Sequence, residues 1–179
     1  MAELLQLFRR TLKHEGGFQN DPDDDGNWTG GAKGKGTCKG TKYGISARMY
    51  PNEDIANLTE ERAIEIYLKD YYLPLKLEEI KSPRIRWKLF DIAINLGADD
   101  PPRIVREVLK SLGYVTGDGL EYQRLNDAET FWESDEVPLR EIAEWQVKAY
   151  TDIIMKRPVK AKYMRTWVWR GFDIGDGLV

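Results

Sequence analysis

With 41% hydrophobic and 32% charged side chains, 179 residues have the composition of a soluble globular protein, long enough for one sizeable core or two small ones. The 27 basic and 30 acidic residues leave a net charge of −3, so no global basic field points to nucleic acid. The single cysteine, Cys38, rules out an intramolecular disulfide, and no apolar run approaches the roughly 18 residues of a membrane span.

The first segment, MAELLQLFRRTLKHE, carries its basic residues after the leucines and lacks a small-residue cleavage site, so it does not read as a secretory signal. From Ala2 to Glu15, Leu4, Leu5, Phe8 and Leu12 recur at helical spacing, and Gly16-Gly17 ends the helix. Glu15 follows Leu12 by three positions and Phe8 by seven, which sets it on the buried face. A carboxylate there is desolvated and close to the negative end of the helix dipole, and both effects raise its pKa toward that of a general acid working near neutrality. The same position also lets the side chain fray outward, and periodicity alone leaves both readings standing.

His14 to Ser46 holds nine of the 16 glycines and an acidic cluster. A connection this long without helix or strand pattern is either disordered or a working loop. Phe18, Trp28 and Tyr43 argue for the second. Asp21-x-Asp23-x-Asp25-Gly26 opens like an EF-hand, but the closing bidentate position is Ala32. No metal site is therefore assigned. The Gly- and Lys-rich run from Gly26 to Gly40 lacks phosphate-loop spacing and reads as a mobile flap or a short hairpin. His14, the only histidine, is read as a surface or supporting group, Cys38 as an inert thiol, and Ser46 as the cap of a short helical piece. Catalysis falls to carboxylates.

Thr59 is a cap before a helix from Glu60 to about Tyr72. Ser82-Pro83 starts a second helix that Gly97 stops. On that helix Ile85, Leu89, Ile92, Ala93 and Leu96 form one apolar face that Trp87, Phe90 and Ile94 extend most of the way round, making it central. The remaining strip carries Arg84, Lys88, Asp91 and Asn95, and is expected to line or brace a cleft. Asp99-Asp100-Pro101-Pro102 marks a boundary. Beyond it come a helix through Ile104, Val108 and Leu112, a Thr116-Gly117-Asp118-Gly119 turn, a short helix near Leu120 to Asn126 and a long helix from about Pro138 to Lys156. Arg157-Pro158 breaks the long helix before a last one bearing Tyr163, Trp167 and Trp169. No long strand alternation is present, so the fold class is all-α, with room for a small β element in the Gly-rich loop.

His14-Glu15-Gly16-Gly17-Phe18, Asn20-Asp21-Pro22, Asp24, Thr41-Lys42-Tyr43-Gly44-Ile45-Ser46, Asp70-Tyr71-Tyr72 and Phe90-Asp91-x-Ala93-x-Asn95-x-Gly97 resemble the glycoside hydrolase family 108 N-acetylmuramidases. Leu109, Leu112-Gly113, Asp118-Gly119 and Trp169-Arg170-Gly171 look like the predicted peptidoglycan-binding region that accompanies that family. The resemblance implies a mainly helical, lysozyme-like catalytic region over 1–98 and a helical wall-binding region over 99–179. The implied activity cleaves wall glycan between N-acetylmuramic acid and N-acetylglucosamine, with peptidoglycan strands as partner and no cofactor. Glu15 would be the catalytic acid and Asp24, nine residues on, the second carboxylate. Asp21, Thr41, Tyr43, Asp91 and Asn95 are the expected substrate-binding residues. A lytic transglycosylase and a non-catalytic wall-binding or secretion-accessory protein are the rivals. The expected site of action is the cell wall, after synthesis in the cytoplasm and release or non-standard export.

Overall fold

The computed structural model describes residues 2–114, 116–117 and 121–176, and within its helices it leaves aside the side chains of 2–4, 13–15, 129 and 130. The chain forms two compact units, 1–68 and 69–179. Among the described residues the structure is mainly helical with a single two-stranded sheet, a mainly α, lysozyme-like fold.

In the first unit α1 spans Ala2–Glu15. Its buried stripe is Leu7, Phe8, Thr11 and Leu12, each at most 6% exposed. Burying an aliphatic or aromatic side chain contributes about 1.5–3 kcal/mol, so this stripe is what anchors the helix. The loop after α1 returns through β1 (Thr41–Lys42) and β2 (Ile45–Ser46), an antiparallel pair joined by Tyr43 and Gly44. Both turn residues have positive φ, 52° and 73°, as the tight hairpin turn compatible with strand twist requires. Ser46 ends β2 and accepts the backbone N–H groups of Met49 and Tyr50 in a single turn, where the sequence suggested a short helical piece. Thr59 caps α2 (Glu60–Tyr67) by accepting the Arg62 N–H at 3.2 Å. The expected continuation to Tyr72 is present as one wider helical turn, Leu68–Tyr72.

The second unit is built on α3 (Pro83–Leu96) and α6 (Glu136–Lys156), with α4 (Asp100–Ser111), α5 (Tyr122–Phe131) and α7 (Met164–Phe172) packed against α6. The Ser82 hydroxyl accepts the Ile85 N–H and donates to Asp135 at the start of α6, so the cap also ties two helices together. The Thr116 to Gly119 turn falls partly on Asp118 and Gly119, outside the described residues, as does Leu120 at the expected start of the short helix. Gly171 lets α7 lie close on α6, since a Cβ there would collide with Val147.

The polar strip of α3 lines a seam rather than an open cleft. Arg84 pairs with Asp135 and Glu136 at 2.8 Å and reaches Asp176 at 3.2 Å. Lys88 is fully buried, and its three ammonium protons go to the carbonyls of Arg170, Gly171 and Asp173 at 3.0, 2.7 and 2.7 Å. A cation there satisfies carbonyls that the end of α7 leaves open and opposes the helix dipole. Asp91 lies one turn on, wholly buried, with both carboxylate oxygens on the Arg170 guanidinium at 2.7–3.0 Å. Asn95 donates to the Asp91 carbonyl at 3.0 Å. Arg84, Lys88 and Asp91 therefore brace the second unit from within, whereas half-buried Asn95 bonds the backbone of its own helix.

Candidate active site

The loop between α1 and β1 is a folded hairpin rather than a flap. Gln19 and Thr41 exchange backbone hydrogen bonds at 2.9 and 2.8 Å, Trp28 bridges Cys38, and Thr29 and Gly30 donate to Thr37 and Lys35. Gly40 is obligatory here: its φ is +88°, and a Cβ would sit 2.5 Å from the Gln19 carbonyl oxygen.

One buried side chain organises this hairpin. Asn27, at 0% exposure, donates to the Gln19 amide oxygen and the Asp21 carbonyl, both at 2.8 Å. Its own oxygen accepts from the Gln19 amide at 3.1 Å and from the Thr41 hydroxyl at 2.8 Å. The Thr41 hydroxyl thus spends its proton on the loop, and any contact it makes with a substrate is as an acceptor through its lone pairs. Asp24 caps the short turn Asp25–Asn27 through the Gly26 N–H at 2.9 Å, with Gln19 3.3 Å from its other oxygen. Asp21 accepts from the Asp23 N–H at 2.9 Å, and Asp23 pairs with Lys33. Trp28 spends its indole N–H on the Pro22 carbonyl at 3.0 Å. The acidic cluster is therefore a set of turn-forming carboxylates, all four exposed, with Asp21 and Asp24 held on a fixed frame.

At the end of α1 lies an open cavity of about 400 Å³, lined by Arg9, Leu12, Gly16, Gly17, Tyr43 and Glu60. The helix backbone runs through Glu15 immediately before the two lining glycines, while the Glu15 side chain, like that of His14, lies outside the described residues. Glu60 faces the cavity paired to Arg9 at 2.6 Å, and the bond raises the guanidinium above its ordinary pKa. Tyr43 is held in its left-handed conformation by the Tyr67 hydroxyl, which donates to the Tyr43 carbonyl at 2.5 Å. A non-glycine residue so placed costs about 1–2 kcal/mol, and such strain collects at functional sites.

The first unit brings Asp21, Asp24 and Thr41 onto one hydrogen-bonded frame and sets Tyr43 in the cavity wall. Asp91 and Asn95 belong to the second unit, and Asp91 offers no surface to a polymer while Arg170 covers it. Sequence reasoning missed Asn27, Gln19 and the Arg9–Glu60 pair. An Asn among glycines reads as a turn residue, and nothing local marks it as buried.

Residues 8–97, just over half of the chain and spanning α1 to the end of α3, match the family described as glycosyl hydrolase 108. No curated protein and no solved structure matches the chain. A carboxylate-bearing helix end, a glycine-walled cavity and a turn that fixes an exposed aspartate suit the two-carboxylate chemistry of sugar cleavage, and the chain belongs to the glycosyl hydrolase 108 family, as a glycoside hydrolase that acts on peptidoglycan.

Proposed function

We propose that the protein is an N-acetylmuramidase that cleaves the bond between N-acetylmuramic acid and N-acetylglucosamine, with Glu15 as general acid and Asp24 as second carboxylate. The observation that carries this is the cavity at the C-terminal end of α1. Its volume of about 400 Å³ is within the range of small-ligand pockets. Gly16 and Gly17 have no side chains to keep a sugar ring from the helix end. In this reading Glu15 protonates the leaving glycosidic oxygen as the bond to the anomeric carbon breaks. Asp24 either takes the proton of the attacking water or offsets the positive charge that develops on the ring. Tyr43 supplies an aromatic face and a hydroxyl at the wall of the site. Asp21 and Thr41 hold the turn that presents Asp24, and Asp91 acts by bracing the second unit.

The assignment of 1–98 to catalysis and 99–179 to holding the wall belongs to the same proposal, as does action at the cell wall after release or non-standard export. Mass spectrometry of digested peptidoglycan tests the chemistry. A muramidase adds one water per cut and leaves reducing N-acetylmuramic acid ends. Anhydro ends would mean a transglycosylase, and reducing N-acetylglucosamine ends the other glycosidic bond.

A further inference from the structure

The end of α6, the turn Pro158–Tyr163 and α7 pack together into one hairpin, and α7 is inside out. It buries Arg170 and Gly171 and turns Trp169 and Phe172 outward, 70% and 66% exposed. Met155, Val159 and Met164 add exposed apolar side chains on the same hairpin, at 75%, 74% and 49%. Lone exposed apolar residues are ordinary, but this many large ones within 18 residues mark an interaction surface. The inversion has a structural cause. Arg170 is committed inward by Asp91, and Gly171 by its contact with α6, so helical periodicity leaves the residues beside them facing solvent.

Charge identifies the partner. Between Ile153 and Phe172 the chain carries six Lys or Arg residues and no Asp, Glu, Asn or Gln. Only Arg170 is used internally. Lys156, Arg157, Lys160, Lys162 and Arg165 meet no carboxylate among the described residues, although the chain as a whole is net negative. Lys160 and Lys162 lie over the Tyr163 ring at 5.4 and 5.0 Å, and Tyr163 stacks on Trp167, which stacks on Tyr150. The surface thus rests on a rigid aromatic base. A sugar polymer is recognised by aromatic planes flanked by carboxylates or amides that bond its hydroxyls, and from Ile153 to Phe172 the hairpin carries none, with Asp152 and Asp173 only at its two ends. Exposed Trp, Phe and Met among unpaired cations are the composition of an interfacial membrane helix, where apolar side chains enter the acyl boundary and cations meet lipid phosphates.

We propose that the α6–α7 hairpin docks on the surface of an anionic phospholipid bilayer, with Trp169 and Phe172 inserted and Lys156 to Arg165 on the headgroups. This goes beyond the glycosidase reading and does not depend on it. No helix among the described residues is long and apolar enough to cross a membrane, so the contact is peripheral.

The test is co-sedimentation of the full chain with vesicles of phosphatidylcholine alone and of phosphatidylcholine mixed with an equal part of phosphatidylglycerol. Tryptophan emission is followed in parallel. The anionic vesicles should bind about tenfold or more tightly and shift the emission to the blue. Raising salt from about 0.1 to about 1 M, which cuts the Debye length from ~10 to ~3 Å, should remove most of the binding. Trp169→Ala with Phe172→Ala, and separately Lys160→Gln with Lys162→Gln and Arg165→Gln, should each lower binding about tenfold with circular dichroism and thermal midpoint unchanged. Equal binding to both vesicles, or none, overturns the proposal. So does a dimer that Trp169→Ala with Phe172→Ala dissolves, which would make the face a contact between copies. So does the same residue dependence toward insoluble peptidoglycan in the absence of lipid.

Discussion

The Asp91–Arg170 pair gives the sharpest test of how the second unit holds together. Asp91 is wholly buried and the Arg170 side chain 6% exposed, so removing either one strands the other charge in the interior. After Arg170→Met the carboxylate would keep only Gln146, at 3.3 Å. After Asp91→Leu the guanidinium would lose the carboxylate it grips through two nitrogens. Stranding one member of a buried pair costs about 3–5 kcal/mol. In a chain of this length that is a fall of roughly 6–20 °C in thermal midpoint. The double variant removes both charges and replaces them with apolar side chains of comparable reach, and such replacement is often neutral. Roughly half or more of the single-variant loss should therefore return. Denaturant unfolding followed by tryptophan fluorescence reads the right unit, because five of the six tryptophans lie beyond residue 69. Single variants within about 1 kcal/mol of wild type, or losses that simply add, would refute the reasoning. Turnover of peptidoglycan by the folded double variant then separates two roles for Asp91: retained activity marks a brace, and lost activity marks a group that touches substrate.

Asn27→Leu should cost about 1–3 kcal/mol in denaturant unfolding, the penalty for leaving the Gln19 amide and Thr41 hydroxyl short of partners in a buried loop; no change would show that the loop does not depend on that hub. Tyr43→Asn relieves a left-handed conformation that aromatic residues tolerate poorly, so the thermal midpoint should hold or rise while turnover falls. Full activity in Tyr43→Asn would remove Tyr43 from the site. Calorimetry should find no sub-micromolar calcium binding to the wild-type chain, because the carboxylates of Asp21 to Asp25 are occupied in turns and by Lys33, and Ala32 stands at the closing position.

Most of the helical frame was legible in the sequence because its signals are local. Thr59, Ser82-Pro83 and Gly97 sit where caps and stops were expected, since each works through hydrogen bonds or φ angles within one turn. The apolar wheel of α3 likewise announced a buried helix. The partner of its polar strip was not legible. Lys88 and Asp91 answer to carbonyls and a guanidinium some eighty residues further along, and no periodicity encodes that pairing. The same strip therefore reads as a cleft lining until Arg170 is seen on it. The Gly-rich insertion illustrates the converse. Its glycines showed that the backbone turns sharply, but what holds the turns is one buried asparagine whose role depends on Gln19 and Thr41 arriving from either side. Inverted α7 also escaped the wheel, because an arginine on an apolar face normally reads as exposed.

The central claim is that Glu15, at the last turn of α1, is the acid. Turbidity loss of purified peptidoglycan by wild type and Glu15→Gln, each across pH, tests it directly. Glutamine keeps the shape and removes the transferable proton, so turnover should fall by about 10²-fold or more with stability little changed. Wild-type activity should decline on the alkaline side with an apparent pKa well above the roughly 4.3 of an ordinary glutamate, because the acid works protonated and the negative end of the α1 dipole favours the protonated form of a carboxyl at its last turn. A Glu15→Gln protein that clears peptidoglycan at near wild-type rate would contradict the account and place the acid elsewhere.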